Sequence, residues 1–191
     1  MFTYRIDEDV SLRLMTEEDA SELYSLIDSS RPYLREWLGW VDYSTSVQES
    51  RDFIKAGRKN YAEDVSMTAA IIYKGKIAGV AGFQNISWLN HTVSIGYWLG
   101  EGFQGKGLVT KAVEALVTHA FNGMKLNRVE IRAAVENAKS RAVPERLGFT
   151  EEGRIRQSEF LYDHYVDHIV YGMLADEWQK RRENLAAVVV E

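Results

Sequence analysis

Apolar and polar side chains alternate over residues 10–14, the two-residue period of a strand with one face buried. Thr16, followed by Glu17, Glu18 and Asp19, reads as a helix N-cap with acids in the first turn, and Leu23, Leu26 and Ile27 supply that helix with an apolar stripe. A second helical stretch carries Leu34, Trp37 and Leu38, and a third covers 47–61. The period then shortens. Residues 66–73 and 76–83 are β-rich runs joined by Lys74-Gly75, which predicts a hairpin, and 91–99 (HTVSIGYWL) predicts another strand. The glycine-rich stretch GEGFQGKG leads into a helix whose Val109, Val113, Leu116, Ala120 and Phe121 keep the 3.6-residue period. A strand over 129–135, a short helix over 138–147, the start of a strand at 149–152, a last strand at His164–Leu174 and a charged helical stretch complete the chain. Helices followed by strands with two helices between them predict an α/β (α+β) chain around one central sheet. No linker divides it, so one domain spans 1–180, with a charged and apolar tail at 181–191; residues 187–191 match no element.

The 191 residues are 46% hydrophobic and 27% charged, a globular balance that excludes disorder as the main state. With no Cys there is no disulfide, no Cys-ligated metal and no thiol nucleophile, which leaves the chemistry to oxygen and nitrogen groups. A charged start and no apolar run near the roughly 18 residues a span needs predict a soluble, cytoplasmic protein without signal peptide or membrane helix. The net charge of −5 argues against general nucleic-acid binding. It is unevenly spread. Residues 104–146 hold eight basic groups (Lys106, Lys111, Lys125, Arg128, Arg132, Lys139, Arg141, Arg146) against four Glu, net +4, leaving −9 elsewhere. That segment can hold a small polyanion, or its charges are scattered over solvated helix faces.

Gln104, Gly105, Lys106, Gly107, Leu108, Val109 and Thr110 lie between a predicted strand and an amphipathic helix. Glycines allow backbone N–H groups to converge, and a helix N-terminus adds unpaired donors and the positive end of its dipole, so a phosphate or pyrophosphate fits there. The segment is neither a P-loop nor the dinucleotide fingerprint, since Thr110 stands at the third Gly position. On glycines alone, a flexible turn is the alternative.

Further on, Asn137, Ser140, Val143, Glu145, Leu147, Gly148 and Phe149 follow the order Asn-x-x-Ser-x-x-Val-x-Glu-x-Leu-Gly-Phe. With Gln104 and Gly107, this segment resembles the two signature motifs of the GCN5-related N-acetyltransferase (GNAT) family, over about 10–178 of the chain. IGYWL before the loop and QSEFLYDHYVD after Gly153 are similar to the branch that acetylates the N-termini of ribosomal proteins. Val109 departs from the Gly or Ala usual in the family, and a β-branched residue narrows the backbone there. The resemblance implies a GNAT-like domain: a mixed, mostly antiparallel sheet, splayed at two parallel strands and flanked by helices. It implies acetyl-CoA as co-substrate and a protein or peptide N-terminus as acceptor. It further implies that the backbone of Tyr97, Trp98 and Leu99 pairs with the pantetheine amides as an added strand would.

Acetyl transfer from a thioester needs a neutral amine, a stabilised oxyanion and a proton for the departing thiolate. Holding an α-amine neutral at pH 7 costs about 1 kcal/mol, and a lysine about 4.6, from their ordinary pKa values. A modest base therefore suffices for an N-terminus. On the resemblance, Glu159 is the candidate base, acting directly or through water, with an ordinary surface acid as the alternative. Ser140 is the candidate proton donor to sulfur, or else a helix cap; Asn137 anchors the pantetheine arm or orders its loop. Tyr33, Trp37, Trp40 and Trp88 are candidates for an acceptor pocket, the alternative being a core or a homodimer seam. His164 and His168 adjoin Asp163 and Asp167 but lack a third well-spaced ligand, so no metal site is predicted. An open, acidic acceptor groove would favour a protein substrate, and a deep closed pocket would favour a small amine such as an antibiotic or polyamine. A CoA-binding module without catalysis is the third reading.

Overall fold

The computed structural model describes residues 2–188. The strands are β1 (Thr3–Arg5), β2 (Val10–Leu14), β3 (Met67–Tyr73), β4 (Lys76–Ser87), β5 (Thr92–Leu99), β6 (Arg128–Ala134), β7 (Thr150–Leu161) and β8 (His164–Leu174). They form one sheet in the order β1-β2-β3-β4-β5-β6-β8-β7. Every neighbouring pair is antiparallel except β5 and β6. The helices are α1 (Ala20–Ser29), α2 (Arg31–Arg35), α3 (Val47–Ala62), α4 (Leu108–Thr118), α5 (Ala138–Arg146) and α6 (Ala175–Val188).

Two apolar clusters sandwich the sheet. On one face Leu12, Ile71, Phe83, Ile95 and Ile131 pack with Val113 and Leu116 of α4 and Trp178 of α6. On the other, Ala70, Ile72 and Val80 pack with Leu23 and Ile27 of α1 and Ile54 of α3. Strands covered on both faces need no polar side, which is why 69–72 and 77–83 read as near-continuous apolar runs. The parallel pair is brief. Thr92, Val93 and Ser94 face Arg128, Val129 and Glu130, and beyond them the strands separate, the splayed mixed sheet that the motifs imply.

Several elements differ from their sequence patterns. The short β1 edge strand carries no alternation long enough to detect; its end is tied by Leu14 N–H donating to Phe2 O at 3.1 Å. α2 stops at Arg35, so Trp37 and Leu38 lie in the turn that follows. β7 runs to Leu161 and includes the stretch that bears Glu159. It is an edge strand, exposed along nearly its whole length and bulged between Ile155 and Glu159, so its sequence shows no two-residue period. α6 continues through 181–188, the helical part of the expected tail, and 189–191 lie outside the described residues. Among the described residues no helix is long and apolar enough to cross a membrane.

The packing of β4 on β3 makes a sharp prediction. A Cβ on Gly82 would collide with the carbonyl oxygen of Met67, a backbone atom that cannot swing aside. Gly82→Ala should cost about 3 kcal/mol, roughly 10 °C in thermal midpoint. Gly102→Ala, with nothing within 4 Å of the new methyl, should leave the midpoint nearly unchanged. Thermal denaturation of both variants checks this.

Candidate active site

The glycine turn closes onto α4 with Gly107 as its N-cap, at φ +69°, and Gly105 at φ +74°. A Cβ at either position meets nothing within 4 Å, so these glycines are required by backbone conformation and not by space. Lys111 N–H makes the first helical bond, to Gly107 O at 3.0 Å. The N–H groups of Leu108, Val109 and Thr110 are thus free of intrahelical partners at the positive end of the dipole. Val109 sits in this first helical turn, a conformation a β-branched residue adopts readily, so the departure from the family pattern leaves the turn intact.

A cavity of about 880 Å³ opens beside this turn. Its walls are Tyr97, Trp98 and Leu99 of β5, Gln104 to Lys111 apart from Lys106, Asn137, Lys139 and Ser140 at the start of α5, and Tyr33, Leu34, Trp37 and Leu38 around α2. Lys106 turns away, its ammonium donating to Gly102 O at 3.3 Å. Asn137 caps α5 by accepting the Ser140 N–H at 3.0 Å, so Ser140 is not the cap. Tyr97 spans the gap between β5 and α5. Its hydroxyl donates to Ser140 O at 2.9 Å and receives the Ser140 hydroxyl at 3.5 Å, and burial pushes the phenol well above the ordinary tyrosine range. Lys139 Nζ donates to Gln104 Oε1 at 3.0 Å and lies 5.4 Å from the centre of the Tyr33 ring, linking the turn to α2.

Of the eight basic residues in 104–146, only Lys111, Lys139 and Arg146 line the cavity. Lys111 is paired with Asp7 at 2.7 Å, which holds that carboxyl below the usual range. Arg128 and Arg132 instead face Glu130 and Glu152 on the sheet, and Arg141 bonds the Tyr171 hydroxyl. Charge counting over the segment could not sort its members into those that face the cavity and those that pair on the sheet.

A second cavity, of about 440 Å³, lies against the α1 and α3 side of the sheet. It is bounded by Trp40, Tyr43, Glu49, Ser50, Phe53, Thr68 and Gln84, and it shares Tyr97 and Trp98 with the first. The Trp40 and Trp98 rings pack at 5.7 Å. The predicted aromatic group is thus divided: Tyr33 and Trp37 line the first cavity, Trp40 the second, and Trp88 neither, its indole N–H donating instead to Asp64 O at 2.9 Å in a connection away from both. Glu159 lines neither cavity. Its Oε2 lies 3.1 Å from His168 Nε2, the two strands placing both side chains at the sheet's far edge. Tyr43, Ser50 and Phe53 gave no sequence signal, because on a helical pattern they read as ordinary core and surface. Among the described residues no group of three or more His, Cys, Asp or Glu is placed to hold a metal.

Two cavities that meet at Tyr97 and Trp98 suit a transferase that brings a carried group and its acceptor together at one strand. Residues 9–150 match the acetyltransferase (GNAT) domain, and the chain belongs to that family of acetyltransferases. It is 38% identical over 180 residues to YdaF of Bacillus subtilis, whose own assignment as a ribosomal N-acetyltransferase is provisional, covering 94% of this chain and 98% of that one. It is 32% identical over 174 residues to the ribosomal-protein-serine acetyltransferase of Escherichia coli, covering 91% and 97%. The structure of RimL, a ribosomal L7/L12 α-N-protein acetyltransferase solved with coenzyme A, superposes with a TM-score of 0.88 at 30% identity, over 92% of this chain and 99% of that one.

The family's acetyl donor should stabilise the fold by about 2.7 kcal/mol at a hundredfold excess over its dissociation constant. Gly107→Val, which forces a β-branched residue into a left-handed conformation, should abolish most of that shift, whereas Gly107→Asn should keep a larger part of it. Thermal shift with and without acetyl-CoA distinguishes them; an unchanged shift in the valine variant removes the turn from the binding site.

Proposed function

We propose that the chain transfers the acetyl group of acetyl-CoA to the α-amino group of a protein N-terminus, a ribosomal protein in the cytoplasm being the acceptor class suggested by its relatives. When bound, acetyl-CoA supplies an activated thioester carbonyl and a thiolate leaving group. The free N–H groups of Leu108, Val109 and Thr110, with Gln104, Gly105 and Gly107, cradle the pyrophosphate. The unpaired edge of Tyr97, Trp98 and Leu99 orients the pantetheine arm as an added strand, and Asn137 anchors that arm through the α5 start it caps. Ser140 donates a proton to the sulfur as the C–S bond breaks, held in place by Tyr97. Glu159, which lines neither cavity, takes the proton released when the amine forms the new C–N bond through intervening water, with His168 beside it at 3.1 Å.

The observation that carries the choice of acceptor is the charge of the second cavity. The open acidic groove that would favour a protein substrate does not line it, so the lining speaks against a polyamine and not by itself for a protein tail. Its one carboxylate, Glu49, is already taken by the Thr45 N–H, the Thr45 hydroxyl at 3.0 Å and the Ser46 N–H at 2.9 Å, which hold its pKa below the usual range. A polyamine would bring further ammonium groups into an apolar cavity without carboxylates to meet them, a costly burial. An N-terminus brings one amine, neutralised at small cost, and a single side chain beside it.

Replacing Glu159 with Gln should lower kcat by about 10² to 10⁴ with acetyl-CoA affinity nearly intact. Undiminished turnover would return Glu159 to the surface acids.

With a peptide acceptor, kcat/KM should rise with pH and level off near 8, because above the α-amine's own pKa no more neutral nucleophile is gained. A lysine acceptor would keep gaining through about pH 9, as its ordinary pKa is near 10.4. Paired peptides with a blocked N-terminus or with Lys replaced by Arg give the measurement. Acetylation that survives the block and vanishes with the lysine would overturn the proposal.

A further inference from the structure

Tyr162 stands where a glycine would sit with less strain. It turns β7 into β8: the Asp163 N–H donates to Leu161 O at 2.8 Å, closing a three-residue turn, and Tyr162 at its centre has φ +61°. This is the rare, strained form of the turn, and its left-handed backbone suits glycine far better than an aromatic residue. What the side chain reaches explains its presence. Its hydroxyl donates to Leu38 O at 2.6 Å, 124 residues away in the chain, and its ring lies against Arg35, whose guanidinium carbon is 3.8 Å from the ring centre. Arg35 in turn forks onto Asp42, Nε to Oδ1 at 2.8 Å and Nη2 to Oδ2 at 3.0 Å. Leu161, buried next to Tyr162, packs near Gly39, where an added Cβ would lie 3.7 Å from the leucine Cδ1.

Residues 36–44 need such support, because they hold turns and no longer element of their own. Arg31 ties their far end, donating to Val41 O and Ser44 O at 2.7 Å each, but Arg31, Arg35 and Asp42 all belong to the same part of the chain. Among the described residues, the bond from Tyr162 is the one hydrogen bond that reaches this stretch from elsewhere. The stretch matters to both cavities. Trp37 and Leu38 line the first and Trp40 lines the second, with Trp40 packed against Trp98, which the two share. Residues 37–40 are therefore the wall where the cavities meet, and there, on the reading above, the acetyl group and the amine come together. The turn before α4 and the start of α5 are held separately, by Tyr97 and Asn137.

We propose that Tyr162 is a positioning residue for the acetyl transfer: from the turn between β7 and β8 its hydroxyl fixes Leu38, and with it the wall between the two cavities, in the arrangement that receives the acceptor. This rests on acetyl transfer at the junction of the two cavities and holds for a protein N-terminus and a smaller amine alike. Without the bond, residues 36–44 keep only their own turns and the Arg35 contact, so the receiving arrangement becomes one of several. Apparent acceptor affinity then falls with its population. A bound acceptor restores the arrangement, and Glu159, opposite Val166 and beside His168, keeps its place, so the rate at saturating acceptor is preserved.

The test compares the full chain with Tyr162→Phe, which keeps the ring against Arg35 and removes only the hydroxyl. KM for a peptide acceptor should rise about tenfold, the size of one hydrogen bond, with kcat and the acetyl-CoA dissociation constant within about twofold of the parent. Tyr162→Gly, which the left-handed turn accepts without strain, removes hydroxyl and ring together; it should raise KM at least as far, and it serves if the phenylalanine variant folds poorly. Tyr165→Phe, on the same hairpin but 60% exposed, should leave KM unchanged. An acceptor KM unmoved in both Tyr162 variants, whatever their thermal midpoints or kcat, would overturn the proposal. So would an equal loss of acetyl-CoA affinity, or an equal rise in KM for the Tyr165 variant. If the parent protein acetylates small amines and none of the peptides, the α-amine reading falls by itself, and the same KM comparison with the small amine decides the role of Tyr162.

Discussion

The structure turns on the parting of two parallel strands. β5 and β6 pair over only three residues, and beyond Ser94 the far edge of β5 has no strand beside it, although its near edge stays paired with β4 through Tyr97, Trp98 and Leu99. Backbone donors and acceptors within a protein need partners, so an unpaired edge in the middle of an eight-stranded sheet is unfavourable unless a ligand can complete it. The cavity opens at this edge, and both apolar layers of the fold serve to hold the two strands apart at a fixed angle. One layer anchors Ile95 and Ile131 against α4, so that the parting begins from a rigid base.

Tyr97 then sets the width of the opening. Its ring belongs to the strand that diverges and its hydroxyl reaches the first turn of α5, 43 residues away, at the Ser140 carbonyl. A tyrosine's ordinary pKa of about 10 already keeps the phenol a protonated donor at physiological pH, and burial moves it further up. Asn137 completes the arrangement by capping the same helix turn. A strand, a helix start and the turn before α4 are thereby locked around one space, which is the preorganisation that a transfer reaction between two bound molecules requires.

Charge is distributed by the same architecture. On the sheet beyond β5, Arg128, Arg132, Glu130 and Glu152 neutralise one another, and Asp7 engages Lys111 from the far end of the chain. What remains at the larger cavity is a short list, Lys139 and Arg146 with the helix N-terminus, enough to attract a polyanion without a broad basic surface. The smaller cavity has its only carboxylate already satisfied. A cationic larger cavity and a nearly uncharged smaller one follow from which local hydrogen bonds each charged side chain has already made.

Whatever could be decided within one stretch of chain, the sequence determined. Alternation over Val10–Leu14, the apolar stripes of α1 and α4, the glycines before Leu108 and the Asn137–Ser140 spacing each act over a few residues, and the structure holds them as read. β1, and β7 beyond its predicted start at 149–152, escaped because an edge strand is held by backbone bonds to the neighbouring strand and needs no apolar face of its own. The second cavity escaped for the same reason on a larger scale. Trp40 and Trp98 are candidates in the sequence for different roles, while Ser50, Thr68 and Gln84, from three further stretches, each read alone as ordinary core or surface residues. Only tertiary packing makes them a wall, because enclosure is a property of side chains brought together, and the sequence records each of them singly.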